Sequence, residues 1–219
     1  MKRRTLLQAA AASLCPTSAA WAQYSRSPGL PASPSGVVVV ELANFFCNRC
    51  RQANDHFDRL QRAARQAGHD LRFAPVSWEG QSLWPDRAYY AARDLYPAVE
   101  PLIRHALFEG LQRDGMIFQS ISQVVAYLER RQFSTQALEL EPRFNLADLA
   151  ERAGTDDILL AEAKAGRLVN LSGAEQVPVF VWVQDGELIK TRSHRDANDV
   201  IGLVQLVYRD LINNQPASS

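Results

Sequence analysis

The sequence predicts an α/β fold interrupted by an all-helical domain, and three observations lead to this prediction. An apolar run rich in β-branched residues, Val37–Leu42, precedes a helical pattern and a second short strand. The long central stretch, 85–168, shows helical patterns and no good strand. Near the end of the chain, two apolar runs flank the turn pair Asp185-Gly186 before a last helix.

The first 22 residues have the pattern of an export signal. Lys2–Arg4 gives a positive start, Leu6–Leu14 an apolar middle, and Ala20–Ala22 a small-x-small cleavage site, so we expect the mature chain to begin at Gln23. No later segment has the roughly 20 consecutive apolar residues that a membrane-spanning helix requires. We therefore expect a soluble, exported protein.

The folded body is expected to follow a flexible stretch rich in Pro, Ser and Gly, 23–36. Val37–Leu42 has the composition of a strand buried on both faces. Apolar residues then recur at three- or four-residue spacing over 48–66, which predicts one amphipathic helix, and Leu71–Ser77 predicts a second strand. A strand, a crossover helix and a strand of these lengths form a unit with parallel strands.

The second half of the body begins with a block of helices and ends with a hairpin and a helix. Val177–Gln184 and Glu187–Ser193 are the strands of the hairpin, and the last helix runs from Ala197 to about Ile212. The predicted helices of the block are Asp86–Leu95, Val99–Gly110, Ile117–Arg130, Leu146–Arg152 and Asp156–Ala165. The predicted organisation is a signal peptide (1–22), a flexible segment (23–36), an α/β domain in two parts (37–84 and 169–213), a helical insertion (85–168) and a disordered tail (214–219).

The strongest chemical signal is a pair of cysteines, Cys47 and Cys50, directly after the first strand. Because Cys15 lies in the leader, the mature chain would keep this pair and no other thiol. A disulfide scaffold would show several spaced cysteines, so the pair indicates redox chemistry. Covalent haem attachment requires His where the chain has Arg51, and a structural zinc site requires four ligands, for which one Cys-x-x-Cys without a nearby histidine pair is too few. Basic and acidic residues are equal in number, 24 each, and nothing indicates nucleic-acid binding.

The position of Cys47 predicts that its sulfur is ionised. At the start of the 48–66 helix, free N–H groups and the helix dipole would stabilise a thiolate. Its pKa should fall below the free value of about 8.5, to somewhere in the range of roughly 3.5–7.5. Cys50 lies one turn deeper and should remain a thiol. Lowering the pKa of one sulfur stabilises the reduced form, so the disulfide becomes more oxidising.

The order strand, helix, strand, helical insertion, hairpin, helix is that of a thioredoxin fold with an inserted all-helical domain. With Glu41, Phe45-Phe46, the run Cys47–Cys50 and the later pair Val177-Pro178, the chain resembles the DsbA-type thiol:disulfide oxidoreductases of the bacterial periplasm over roughly 37–212. The resemblance implies that the protein is a periplasmic enzyme that introduces disulfides into reduced exported polypeptides. It also implies reoxidation by a membrane quinone-linked partner and no metal or organic cofactor.

The resemblance also implies roles for individual residues. Cys47 would be the exposed nucleophile, Cys50 the buried resolving cysteine, and Val177-Pro178 a cis-proline loop that faces the disulfide. Glu41 would be the buried acid that relays protons to the buried cysteine. The lysine that pairs with this acid in the family has no clear counterpart in the strand Arg72–Ser77, so a buried Glu41 should have a raised pKa.

Between the cysteines the chain has Asn48 and Arg49, where the best-known members of the family have Pro-His. These two residues would tune the redox potential, and Arg49 either supplies a positive charge to the thiolate or points into solvent. The sequence therefore does not fix the redox potential, and a reductase or isomerase of the same fold is an alternative. A further alternative is a non-enzymatic periplasmic module that binds copper or peptides. We expect a monomer, because 23–36 is too short for the dimerisation domain that isomerases carry.

Overall fold

The computed structural model describes residue 33 and residues 35–213. The predicted signal peptide, most of the predicted flexible segment and the predicted disordered tail lie outside these residues. The elements, in chain order, are β1 (Val37–Ala43), α1 (Asn48–Asn54), α2 (Phe57–Gln66), β2 (Asp70–Pro75), α3 (Trp84–Leu95), a 3-10 turn (Pro97–Val99), α4 (Glu100–Gln112), α5 (Ile121–Arg130), α6 (Phe133–Leu140), α7 (Leu146–Ala153), α8 (Asp156–Ser172), β3 (Val179–Gln184), β4 (Glu187–Arg192) and α9 (Val200–Asn213).

The four strands form one sheet in the order β2-β1-β3-β4. β1 runs parallel to β2 and antiparallel to β3, and β3 and β4 form a hairpin. The hairpin turn places Asp185 and Gly186 at φ 50 and 85, the left-handed conformation that a two-residue turn of type I′ requires. All seven residues of β1 are buried, as its apolar composition predicted, because β1 is an inner strand of the sheet.

The predicted helix over 48–66 is wrong in one respect, since the structure contains two helices, α1 and α2. The chain turns at Asp55 and His56, where the Asp55 N–H donates to the carbonyl of Arg51 and the His56 N–H donates to Ala53 O at 2.9 Å. Asn54 and Asp55 are residues that compete with the helical backbone for hydrogen bonds and favour helix ends. The helix that follows Cys47 is therefore only seven residues long.

The helical block also differs from its predicted details. Residues 117–120 are not helical, because Ser120 caps α5 by accepting a hydrogen bond from the Gln123 N–H at 3.3 Å. The sequence prediction missed α6, whose buried residues Phe133 and Ala137 pack into the common core. The predicted boundary at Leu168 falls inside α8, which continues to Ser172 and packs against β1 and β2.

An aromatic cluster joins the helical block to the sheet beneath the cysteine pair. The Phe45 ring, which is fully buried, lies 4.8 Å from the Phe108 ring of α4 and 5.6 Å from the Phe73 ring of β2, and Phe73 lies 5.1 Å from Tyr89 of α3. Burying one such ring contributes about 1.5–3 kcal/mol. The loop that carries Cys47 is thus anchored, through Phe45, to both parts of the molecule.

Candidate active site

Cys47 caps the N-terminus of α1. Its backbone is extended, with φ −92 and ψ 113, and its sulfur accepts a hydrogen bond from the Cys50 N–H at 3.3 Å. Cys47 is partly exposed, whereas Cys50 is fully buried. Both thiols are free in this structure. The site therefore presents one accessible sulfur with a second sulfur enclosed behind it.

The pKa of Cys47 is lowered from 9.0 to about 6. The largest cause is a hydrogen bond from the Cys50 side chain, followed by the opposing effect of burial. Backbone N–H groups of Cys50 and Arg49 lower the pKa further, and the Arg49 charge adds a smaller effect. The lowered pKa and the backbone N–H donors are those expected from the sequence, but the largest cause, the hydrogen bond from the Cys50 side chain, was not predicted.

The pKa of Cys50 is raised well above 9.0. Burial is the largest cause, and the hydrogen bond that its thiol makes to Cys47 and the Cys47 charge act in the same direction. The interaction between the two thiols therefore lowers the pKa of Cys47 and raises the pKa of Cys50. At neutral pH this arrangement holds one thiolate and one thiol, which is the state that dithiol–disulfide exchange needs.

The Val177–Pro178 peptide bond is cis and faces Cys47. The Cys47 thiol donates to Val177 O over 3.4 Å, although the two residues are 130 positions apart in the chain. Both residues of the loop are buried and lie between α8 and β3. When Cys47 loses its proton, its sulfur can no longer donate to Val177 O.

Glu41 lies in the middle of β1, fully buried, where it pairs in register with Phe73 and Phe180. Neither carboxyl oxygen has a hydrogen-bond partner. Its pKa is raised from 4.5 to about 8, chiefly by burial, with Arg104 acting in the opposite direction and Cys47 in the same direction. The expected raised pKa is therefore found, and Glu41 is neutral for the most part at pH 7.

The charge that lowers the pKa of Glu41 is that of Arg104 in the helical block, where the sequence analysis did not look for a cation. Arg104 of α4 is only 2% exposed. Its guanidinium donates to Glu100 Oε1 at 2.9 Å and to Asn54, and it lies 4.0 Å from the centre of the Phe57 ring. No local sequence signal identifies such a residue, because its relation to Glu41 exists only once α4 packs against the sheet.

The two residues between the cysteines are exposed. Arg49 donates to Gln176 Oε1 at 2.6 Å, so it ties the start of α1 to the residue before Val177. Asn48 Oδ1 accepts a hydrogen bond of 3.4 Å from Arg51. Arg49 thus both bridges the two sides of the site and lowers the pKa of Cys47 by its charge.

Two amide side chains that the sequence analysis did not single out hold the Cys47 loop. Asn44 is 1% exposed; it donates to Val76 O at 2.7 Å and accepts from the Phe46 N–H at 2.7 Å. Gln112, the last residue of α4, donates to Phe45 O at 2.7 Å and to Cys47 O at 3.1 Å. Gln112 therefore connects the helical block directly to the backbone of the nucleophile.

A groove of about 670 Å³ lies on the side of the loop next to Gln112. Its lining residues are Phe46, Asn48, Arg51, Glu109, Leu111, Gln112 and Arg113. Within residues 35–213, no cluster of three or more His, Cys, Asp or Glu side chains is placed to hold a metal ion. No helix in that part of the chain is long and apolar enough to cross a membrane.

No family model matches the chain, and no curated protein matches it either. Several solved structures do match the chain. A variant of Pseudomonas aeruginosa DsbA aligns with a TM-score of 0.63 at 16% identity, over 88% of this chain and 94% of that one. The oxidoreductase DsbA from Xylella fastidiosa aligns with a TM-score of 0.55 at 18% identity, over 80% of this chain and 86% of that one. Proteus mirabilis DsbA with a non-covalently bound peptide aligns with a TM-score of 0.56 at 16% identity, over 85% of this chain and 90% of that one. The chain therefore has the thioredoxin fold with an inserted helical domain that these proteins share, and the predicted fold class is confirmed.

Proposed function

We propose that this chain, which has the fold of DsbA oxidoreductases, is a thiol:disulfide oxidoreductase that introduces disulfides into exported proteins. The observation that carries the proposal is the pairing of a partly exposed Cys47, with a pKa of about 6, and a buried Cys50 that stays protonated. The cis Val177–Pro178 bond opposite Cys47 supports it. The likeness to DsbA structures is consistent with this chemistry.

The reaction begins with the Cys47–Cys50 disulfide. A client thiolate attacks the Cys47 sulfur, a client–Cys47 bond forms, and the bond to Cys50 breaks with its electron pair on Cys50. Cys50 then takes up a proton, because its buried sulfur strongly disfavours the charge. Glu41 couples electrostatically to both cysteines and is mostly protonated at pH 7, so it is a source of the proton that Cys50 takes up.

In the second step, another client thiolate attacks the client sulfur of the mixed disulfide. The client disulfide forms and Cys47 leaves as a thiolate. A thiolate of low pKa leaves readily, which favours release of the oxidised client. The client loses two electrons, which reduce the Cys47–Cys50 disulfide, and two protons; one proton ends on Cys50 and the other goes to the solvent while Cys47 stays a thiolate. Turnover therefore needs a reoxidant, for which we propose a quinone-linked membrane partner, with the protein working as a periplasmic monomer and without a bound cofactor.

Oxidation is the favoured direction because the same interactions that stabilise the Cys47 thiolate stabilise the dithiol. These interactions are absent from the disulfide, so the equilibrium moves toward electron uptake by the protein. Measuring the equilibrium with glutathione tests this direction. We expect a potential nearer to −120 mV than to −270 mV, and a value near −270 mV would instead indicate a reductase.

Substitution of the cysteines tests the chemistry itself. We expect Cys47→Ser to abolish disulfide formation in a reduced model substrate, because the attacked sulfur is gone. Cys50→Ser should instead accumulate a mixed disulfide when it is given a disulfide-containing substrate, because the Cys47 thiolate attacks that disulfide and displaces one substrate sulfur as a thiolate, and no Cys50 thiol is present to release the other. Full activity in Cys47→Ser would contradict the assignment. Stoichiometric Cu(I) binding without any thiol exchange would favour the copper-binding alternative, because soft thiolate ligands select Cu(I).

A further inference from the structure

The groove beside Cys47 carries more positive charge than its own residues neutralise. Arg51 lies in it, and in the described part of the chain its guanidinium has one side-chain hydrogen bond, of 3.4 Å, to the uncharged Asn48. Arg113 also lies in it, with a side chain that is 76% exposed. Glu109 is the acidic residue of the lining, and it is already engaged by Arg113 at 3.0 Å.

The neighbouring acid does not change this balance. Asp114 follows Arg113 in the chain but accepts hydrogen bonds from Tyr127 at 2.8 Å and from Arg131 at 3.3 Å, so its charge is directed to α5 and the residue after it. Two arginines and one paired glutamate therefore leave the groove with an excess of one positive charge. An unpaired guanidinium in a concave site is a recognition group for carboxylates, which it binds through parallel hydrogen bonds.

The groove lies beside the loop that carries Cys47. Phe46 and Asn48, the residues on either side of Cys47, both line it, and Gln112 in its wall donates to Cys47 O at 3.1 Å. The lining contains no residue of the Val177–Pro178 loop. The groove is therefore a surface separate from that loop, next to the two residues that flank Cys47.

The size and the remaining lining fit a short peptide segment. A volume of about 670 Å³ has room for more than one peptide side chain, and the groove is open to solvent. Phe46, which is 38% exposed, and Leu111 supply apolar surface next to the arginines. This combination suits the methylene groups and the carboxylate of a glutamate or aspartate side chain.

We infer that the groove between α1 and the end of α4 is a specificity subsite, in which Arg51 and Arg113 bind an acidic side chain of an unfolded client close to the client's reacting cysteine. The inference rests on the proposed function and adds to it the class of preferred client. Acidic residues near the cysteine accelerate formation of the mixed disulfide, whereas basic residues there slow it.

The test uses single-cysteine peptides that differ at one position, with Glu, Gln or Lys two residues before or two residues after the cysteine. The rate constant for reduction of the Cys47–Cys50 disulfide is measured for each peptide at low ionic strength and divided by its thiolate concentration, because a nearby charge shifts the peptide's own thiol pKa. For the wild-type protein we expect the Glu peptide to react roughly 1.5- to 5-fold faster than the Gln peptide on at least one side, as exposed ion pairs of this kind provide.

Arg51→Gln and Arg113→Gln should each lower the Glu-to-Gln ratio, and the double variant should bring it close to one. Arg65→Gln is the matched control: Arg65 is an exposed arginine of α2 that hydrogen-bonds Gln61, and the ratio should not change. High salt should also bring the wild-type ratio close to one.

The outcomes separate the inference from the function on which it rests. Equal rates for all peptides in the wild-type protein, or a Glu preference that survives in the double variant, overturn the subsite while leaving the oxidoreductase intact. Failure of dithiothreitol and of every peptide to reduce the Cys47–Cys50 disulfide overturns the proposed function, and the subsite with it.

Discussion

The side chain of Cys50 provides the sharpest test of how this site lowers the pKa of Cys47. The structure makes the Cys50 thiol the leading cause of the low pKa, ahead of the backbone N–H groups and of Arg49. Cys50→Ala removes this donor and keeps the backbone N–H that bonds the Cys47 sulfur at 3.3 Å. Cys50→Ser is the matched control, because it keeps a donor at the same place.

The size of the effect follows from the strength of one hydrogen bond to a charged acceptor. Such a bond contributes about 1.5–3 kcal/mol, which corresponds to about one to two pH units. The titration midpoint of Cys47 should therefore rise from about 6 to roughly 7–8 in Cys50→Ala. In Cys50→Ser it should stay near 6, because a hydroxyl donates at least as well as a thiol.

The assay is the rate of iodoacetamide alkylation of Cys47 as a function of pH, followed by mass spectrometry in the chain from Gln23 onward. Each variant then contains a single thiol, so the rate reports its thiolate fraction directly. At pH 7 we expect this fraction to be about nine-tenths in Cys50→Ser and roughly a tenth to a half in Cys50→Ala.

Two results would refute this account of the site. A midpoint near 8.5–9 in Cys50→Ser would mean that the folded protein does not stabilise the thiolate. Identical midpoints near 6 in Cys50→Ala and Cys50→Ser would mean that the backbone N–H groups and Arg49 suffice, and that the Cys50 side chain contributes nothing. A thermal unfolding curve for each variant establishes that both are folded.

Three further predictions concern stability. The pKa of Cys47 is about 6 in the folded protein and about 8.5 in the unfolded chain, so the unfolded state binds more protons between these pH values. The unfolding free energy of reduced Cys50→Ser should therefore rise by about 1–2 kcal/mol from pH 6 to pH 9, after allowance for solvent screening, when compared with the Cys47→Ala, Cys50→Ser double variant. A difference that does not change with pH would exclude the thiolate. Glu41 has the opposite sign, since its pKa of about 8 lies above the unfolded value. At pH 7, Glu41→Leu should raise the unfolding free energy, measured by urea titration, by about 3 kcal/mol from the loss of the buried charge alone. This pH-dependent part of the gain should disappear below pH 4.5, and equal stability at pH 7 would contradict the raised pKa. Gln112→Ala should lower the unfolding free energy by about 1–2 kcal/mol. Gln61→Ala, at a partly exposed position whose bond to Arg65 lies on the surface, should have little effect in the same urea titration. Similar values for both would remove Gln112 from the set of residues that hold the Cys47 loop.

The order of the elements could be predicted from the sequence because each has a local cause. The β-branched run at Val37–Leu42, the Asp185–Gly186 turn and most helices of the insertion follow from side-chain patterns within a few residues of one another. The break at Asp55–His56 and the helix Phe133–Leu140 could not be predicted in this way. The amphipathic pattern continues through the break, and the helix ends there because the backbone forms the hydrogen bonds of a turn. The helix α6 is stabilised by two residues that pack into the core.

For the site, the sequence by itself determined what lies within one helical turn of Cys47: the thiol pair, and the donors at positions 49 and 50 that lower the pKa of the first sulfur. These contacts join residues close in the chain, so the backbone conformation of one turn is enough to form them. The tertiary structure decided everything that comes from distant segments: the approach of Val177 O, the influence of Arg104 on Glu41, and the two hydrogen bonds from Gln112. Packing of the helical block against the sheet brings these groups together, and no residue pattern along the chain encodes the distances between them.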